Sequence, residues 1–269
     1  MESLSKPKQN YLTKSRFKIA LECPTRLYYN DNKQYANQSL DDPFLMNLAR
    51  GGFQVGALAK CYHPGGIEIE TRDHHEAFSQ TLELLQRENV IIFEAAFLFE
   101  NCFIRADVLI KNGNEIELIE VKAKSYSQTE DHFFQKKKGG IDSGWKPYLC
   151  DIAFQTWVTR QSLQSADMAY LQVAPFLMLA NKEANASVEG LNQRFYIDAG
   201  NKIILDKKLC IPEYLGTEIL IKINVAKEVQ HIHEHPLEEY ELSFVDFINQ
   251  CAAAVKNNEI IWDKIGAKC

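Results

Sequence analysis

Three consecutive apolar, β-rich runs fill residues 90–124, VIIFEAAFLFENCFIRADVLIKNGNEIELIEVKAK, and they restrict the possible folds more than any other stretch. Only Glu100-Asn101 and Asn112-Gly113 interrupt them. An Asn-Gly pair between alternating apolar residues is a strong hairpin signal, because both residues accept the positive φ of a tight primed turn. A three-stranded antiparallel meander is therefore expected.

Helical spacing surrounds this meander. Residues 11–29 start at Thr13 or Ser15 as a cap, place Phe17, Ala20 and Leu21 on one face, and are ended or reset by Pro24. A second helix begins at Pro43 and carries Phe44, Leu45, Leu48 and Ala49, with Gly51 and Gly52 expected to break or bend it. A third covers Asp73 to Glu88, with Phe78, Leu82 and Leu85 in register. Beyond the meander come a lysine- and glycine-rich loop over 135–146, a helix after Pro147 and a fourth strand over 168–180. A hairpin is expected within 181–210, its strands flanking Asp198 to Asn201, and an amphipathic helix over 238–256. This order predicts an α/β (α+β) protein, a mixed β-sheet flanked by helices. Residues 1–180 would form the core with its N-terminal helical region, and 181–269 an accessory region packed on it or continuing it.

Composition removes several classes of function. No apolar run approaches the ~18 residues of a membrane span and the first residues, MESLSKPKQN, lack a signal-peptide core, so a cytoplasmic protein without a membrane partner is expected. Seven cysteines, at 23, 61, 102, 150, 210, 251 and 269, form no C-x2-C pair, which argues against a zinc site and for reduced thiols. The formal net charge of −6 argues against non-specific coating of nucleic acid. It leaves room for an enzyme that offsets its own acids with metal ions.

Within the meander, Glu120 and Lys122 project to one side of the third strand. With Asn112-Gly113 as a two-residue loop, Lys111 faces Asn114, and Asp107 sits opposite Leu118 as the diagonal neighbour of Glu120. Their Cβ atoms would then lie about 7 Å apart, close enough to share a hard cation. Acids facing one another on apolar strands must be paired or coordinate a metal. Magnesium or manganese suits such oxygens, and Lys122 beside the ion would position water or stabilise developing charge. A hairpin with a polar face and incidental salt bridges is the plainer alternative.

Asp107 in RADVLI, followed by Glu120-Val121-Lys122 in ELIEVKAKS, resembles the PD-(D/E)XK nuclease superfamily, most closely its RecB-like branch, which includes the CRISPR-associated adaptation nuclease. Glu94 in IIFEAAF resembles the acid on the strand before the motif aspartate. Gln155 in DIAFQTWV resembles the glutamine of the family's Q-x3-Y helix, and SRFKIALECPTRLYY its N-terminal helix. The resemblance covers residues 11–180. It implies a restriction-endonuclease-like fold in which Asp107, Glu120, the Val121 carbonyl and Glu94 hold Mg2+ or Mn2+, Lys122 activates water, and Gln155 supports the site. The implied activity is hydrolysis of single- or double-stranded DNA in repair, recombination or phage defence, with a helicase or other repair or defence protein as partner.

The chain departs from that pattern at Thr159, which replaces the tyrosine, and at His63, which falls late for the family's N-terminal metal histidine. Glu94 has a structural alternative as a buried acid paired with Arg105. Cys23 matches one iron–sulfur ligand of the branch, but cysteines 210, 251 and 269 lack the remaining spacing, so no cluster is expected within this chain. The competing expectations are a binding module that has lost cleavage, or a subunit or fragment of a longer iron–sulfur nuclease. Two further features stand apart. His231, His233 and His235 would share one side of a strand and could bind zinc or nickel, or form a polar connection before Pro236. Lys136, Lys137 and Lys138, with Lys124 and Lys146, form a basic group that could contact a DNA backbone.

Overall fold

The meander forms the middle of a mixed sheet in the computed structural model, which describes residues 10–30, 32, 34–35, 43–129, 134–136, 140–198, 203–204 and 210–263. The chain runs β1 (Leu12–Thr13), α1 (Lys14–Glu22), α2 (Arg26–Asn30), α3 (Pro43–Cys61), β2 (Ile67–Glu68) and α4 (His74–Leu85). The three central strands are β3 (Asn89–Phe99), β4 (Cys102–Asn112) and β5 (Glu115–Tyr126), followed by α5 (Lys146–Ser165) and β6 (Gln172–Asn181). Then come β7 (Tyr196–Ile197), β8 (Ile203–Ile204), α6 (Pro212–Leu215), β9 (Leu220–Asn224), α7 (Ala226–Glu234) and α8 (Phe244–Asn257).

Side-chain oxygens start the helices that frame the site. The Thr13 hydroxyl accepts the Arg16 N–H at 3.4 Å to open α1, and Asp73 Oδ1 accepts the Glu76 N–H at 2.8 Å to open α4. Helix α3 runs unbroken through Gly51, Gly52 and Gly56, contrary to the expected break. Each glycine costs a helix about 1 kcal/mol. Burial of Leu58 and Ala59 against the sheet offsets that cost.

The sheet has seven strands, in the order β2-β3-β4-β5-β6-β9, with β1 paired to β4. Strands β3, β4 and β5 are antiparallel neighbours, β6 runs parallel to β5, and β9 returns antiparallel to β6. The tight turn between β4 and β5 is Gly113-Asn114, one residue later than expected, because Asn112 pairs with Glu115. Gly113, at φ 56°, takes the first central position, where a type II′ turn needs glycine. Continuing the Val108–Ile119 pairing by one residue puts Asp107 directly across from Glu120 rather than diagonal to it.

Two apolar layers cover the sheet. Phe17 of α1, Leu85 of α4, Phe154 of α5, Val229 of α7 and Phe244 and Phe247 of α8 pack in one core with Ile92, Ile116, Leu118 and Leu177. On the other side Leu58 and Ala59 of α3 pack with Val108, Ile119, Met178, Leu191 and Phe195. Residues after 181 thus supply both an edge strand, β9, and helices of the main core. Among the described residues no helix is long and apolar enough to cross a membrane.

The cysteines depart from the expected reduced set. Cys61 and Cys210, 149 residues apart in sequence, form a disulfide with Cα atoms 4.8 Å apart, and Cys23 is also disulfide-bonded. Their spacing in sequence gave no sign of this, because folding alone brings Cys210 to the end of α3. Cys102, Cys150 and Cys251 are free and buried.

Phe17 ties α1 to α5 and α8 within the first of these layers. Its ring stacks on Phe154 at 4.3 Å and meets Phe244 and Phe247 edge-on at 5.6 and 6.2 Å. Phe17→Ala is expected to lower unfolding free energy by about 3–5 kcal/mol in urea titration, and a loss below about 1 kcal/mol would contradict this packing.

Candidate active site

Strand β4 shares one of its edges between two partners. β3 pairs along the other edge at every residue but Asp107, while β5 covers Val108 to Asn112 and β1 covers only Cys102 and Phe103. Asn101 fixes β1 there: its carbonyl accepts the Leu12 N–H at 2.8 Å, and its side-chain amide donates to Asn10 O at 2.8 Å and Ala252 O at 3.1 Å. Lys14, the first residue of α1, therefore enters the gap between β1 and β5, at the level of Asp107.

Three acids and two lysines meet in this gap. Lys14 Nζ lies 3.1 Å from Asp107 Oδ1 and 3.2 and 2.9 Å from the two Glu120 oxygens. Lys122 Nζ pairs with Glu120 Oε1 and lies 2.8 Å from Asp151 Oδ2. Gln155 Nε2 donates to Glu120 Oε2 at 2.9 Å and to Asp151 Oδ1 at 3.1 Å. The Val121 N–H donates to Asp107 Oδ2 at 2.8 Å, which orients that carboxylate. Past Lys122 the pairing of β5 with β6 shifts, so that Ala123 and Lys124 bulge out. Such bulges re-aim side chains beside functional sites.

Electrostatics separates the acids. Burial pushes Glu120 up, but the charges of Lys14 and Lys122 outweigh it and hold this carboxyl well below the usual range. Burial, reinforced by the Glu120 charge, raises Asp107 to about 6. Asp151 is raised by burial and then by Glu120. Burial opposes the charge of Lys122, yet Glu120 and Asp151 keep it protonated, and Lys14 is held likewise by Glu120, Asp107 and Asp151. Three carboxylates against two ammonium groups leave one net negative charge.

Asp107, Glu120, Val121, Lys122 and Glu94 all line one cavity of about 800 Å³, together with Lys14, Lys60, Phe53 and Gly52 and Gly56 of α3. Glu94 is the residue that the β3–β4 register sets opposite Asp107. It has φ 57°, a left-handed conformation inside β3, and the β3–β4 ladder pairs Phe93 with Val108 and Ala95 with Ala106 but skips both Glu94 and Asp107. A non-glycine residue held there costs about 1–3 kcal/mol. Its carboxylate meets Lys60 Nζ at 3.4 Å, not Arg105, which donates to the Ile69 and Thr71 carbonyls.

Other expected residues fall as follows. Thr159 is fully buried one turn beyond Gln155 on α5, and its hydroxyl makes no hydrogen bond to the protein. His63 lines the cavity, but the charges that act on it are Lys222, Glu117 and Glu218 rather than the acid pair. The histidines do not share one side, because α7 is a helix: His231 and His235 stack with ring centroids 4.0 Å apart, while His233 Nε2 lies 3.0 Å from Ala153 O. Lys146 pairs with Glu239 at 2.6 Å, and Lys124 lies over the Trp145 and Tyr148 rings. Lys137 and Lys138 lie outside the described residues.

Lys14 and Asp151 were absent from the expected site. Asp151 had a signal, since D-x3-Q on a helix places both side chains on one face. Lys14 had only a weak one: a cation in the first turn of a helix opposes the macrodipole and needs an acidic neighbour.

Among the described residues no group of three or more His, Cys, Asp or Glu side chains is arranged to hold a metal. The donor chemistry still fits a hard divalent ion. Asp107 and Glu120 converge on one point, marked by a cation about 3 Å from both, and Mg2+ commonly takes only one or two carboxylates and keeps several waters.

Because Asp107 titrates near 6 when folded, against ~3.9 in an unfolded chain, the folded state binds more protons between those values. Asp107 thus contributes stability that is present below pH ~4 and is lost as pH rises through about 6. Asp107→Asn is expected to flatten the decline in urea midpoint across that window, and curves parallel to the parent would contradict the assignment. Comparison of the sequence with protein-family models and with curated proteins returned no match.

Proposed function

We propose that the protein is a metal-dependent nuclease of the PD-(D/E)XK type that hydrolyses phosphodiester bonds in DNA. The convergence of Asp107 and Glu120 on one cation position, with Lys122 beside them in a cavity wall, supports this reading most directly. The mixed sheet, with its meander at the centre and α5 packed behind the acids, agrees with a restriction-endonuclease-like core.

Asp107 and Glu120, with the Val121 carbonyl, would hold Mg2+ or Mn2+. Glu94 lines the same cavity and is held by Lys60. A bound ion of this kind supplies a water of lowered pKa and positive charge against phosphate oxygens. Lys122, fixed between Glu120 and Asp151, presents an ammonium that orients the attacking water and stabilises charge developing on the phosphate. Gln155 fixes the Glu120 carboxylate from α5. Lys14, Lys60 and Lys122 place three cations in the wall of a cavity that must accept a polyanion. Phe53, 47% exposed on the small-residue face of α3, offers a ring on which a base can stack.

A second reading, a nucleic-acid-binding module without cleavage, has one observation in its favour. The Lys14 ammonium already satisfies both acids. Cleavage of linear and circular, single- and double-stranded DNA with Mn2+ or Mg2+ separates the two. Cleavage is expected to require the ion and to fall by about 100-fold or more in both Lys122→Ala and Asp107→Ala. A folded parent that binds DNA but cuts none of these substrates with either ion would overturn the nuclease reading in favour of the binding module.

A further inference from the structure

Lys14 occupies the position that the acids define. Its Nζ contacts both oxygens of Glu120 and one of Asp107, the arrangement of a cation chelated by one carboxylate and shared with a second. Lys122 differs, because it rises from the same strand as Glu120 and is anchored on its far side by the fully buried Asp151. Among the described residues the one other polar contact of Lys14 is a 3.5 Å approach to the Arg105 carbonyl.

Its location on the chain is equally telling. Lys14 is the first residue of α1, where the N-terminal end of the helix dipole disfavours a positive charge. No acidic residue lies in the first turn of α1 to relieve it. The lysine is therefore held in the gap by Asp107 and Glu120 rather than by its own helix. Its side chain is 24% exposed, lines the cavity and has a flexible four-carbon stem, so its ammonium can leave without any change in the sheet.

We propose that Lys14 is a resident counter-ion of the metal position, holding Asp107 and Glu120 together before a divalent ion binds and withdrawing into the cavity when one enters. This rests on the reading of the site as a divalent-ion centre. Two like charges this close cannot be left unpaired in a buried gap, which gives the counter-ion its role in the ion-free protein. An ion entering the gap must displace the ammonium, so the apparent affinity is reduced by the fraction of molecules in which Lys14 has already withdrawn.

Calorimetric titration with Mn2+ tests this on the parent, Lys14→Met and Lys14→Gln, each measured with Glu120 intact and again with Glu120→Gln added as a control for the site. Glutamine keeps a hydrogen-bond donor without the charge, which protects the test if methionine impairs folding. Removing the competing ammonium is expected to tighten Mn2+ binding about tenfold or more, with binding lost in every Glu120→Gln background. Unchanged or weaker binding in a folded Lys14 variant, while the parent binds Mn2+, overturns the counter-ion role and leaves the metal centre standing. Absence of binding in the parent and in folded Lys14 variants overturns both. Failure of both variants to fold would make Lys14 a purely structural residue and also overturn the proposal.

Discussion

Glu120 is a carboxylate 1% exposed in the middle of a sheet, and the surrounding structure is arranged to keep it charged. An isolated ion there would cost several kcal/mol of lost hydration, so it must be surrounded by donors. Lys14 and Lys122 both contact its Oε1, Lys14 also reaches Oε2, and Gln155 donates to Oε2 from α5. Lys122 in turn requires Asp151, and Lys14 requires Asp107. Each group is held in place by the one that neutralises it. The result is a pre-organised set of charges, with Asp107 as the acid that gives up its proton near neutrality.

The fold delivers these groups from four separate elements. Strand pairing sets Asp107 across from Glu120, a bulge follows Lys122, and α5 carries Asp151 and Gln155 one turn apart on its buried face. The fourth contribution depends on how β4 divides its edge. Had β5 continued along β4 to Cys102, the gap that admits Lys14 would be closed. By leaving β4 after Val108 and continuing with β6, β5 opens the sheet where the charges meet, and α3 with its glycines leaves room above them.

Much of this was legible in the sequence, for a physical reason. Alternation along a strand and the parity of a hairpin are local, so Asp107, Glu120 and Lys122 could be placed on one side from spacing alone. The turn shifted by one residue, from Asn112-Gly113 to Gly113-Asn114, yet the pairing sum stayed odd and the acids stayed together. Gln155 was read by resemblance, and the acid a turn before it was in view. What escaped was set by tertiary structure: Lys14 reaches Asp107 across 93 residues, and Cys61 meets Cys210 across 149. HIHEH alternates as a strand would, but it forms the last turn and C-cap of α7, where the apolar Val229 and Ile232 turn inward and split the histidines. Glu94, expected among the ligands, lines the same cavity as Asp107 and Glu120, where its carboxylate meets Lys60.

The proposed divalent-ion position lies between Asp107 and Glu120, where the Lys14 ammonium spans both carboxylates. A crystal of the protein soaked in Mn2+ and measured at a wavelength where manganese scatters anomalously tests it most directly. The account predicts one anomalous peak between the Asp107 and Glu120 carboxylates, with the Lys14 side chain displaced from both. No peak there, with Lys14 still bridging the two acids at saturating Mn2+, would contradict it.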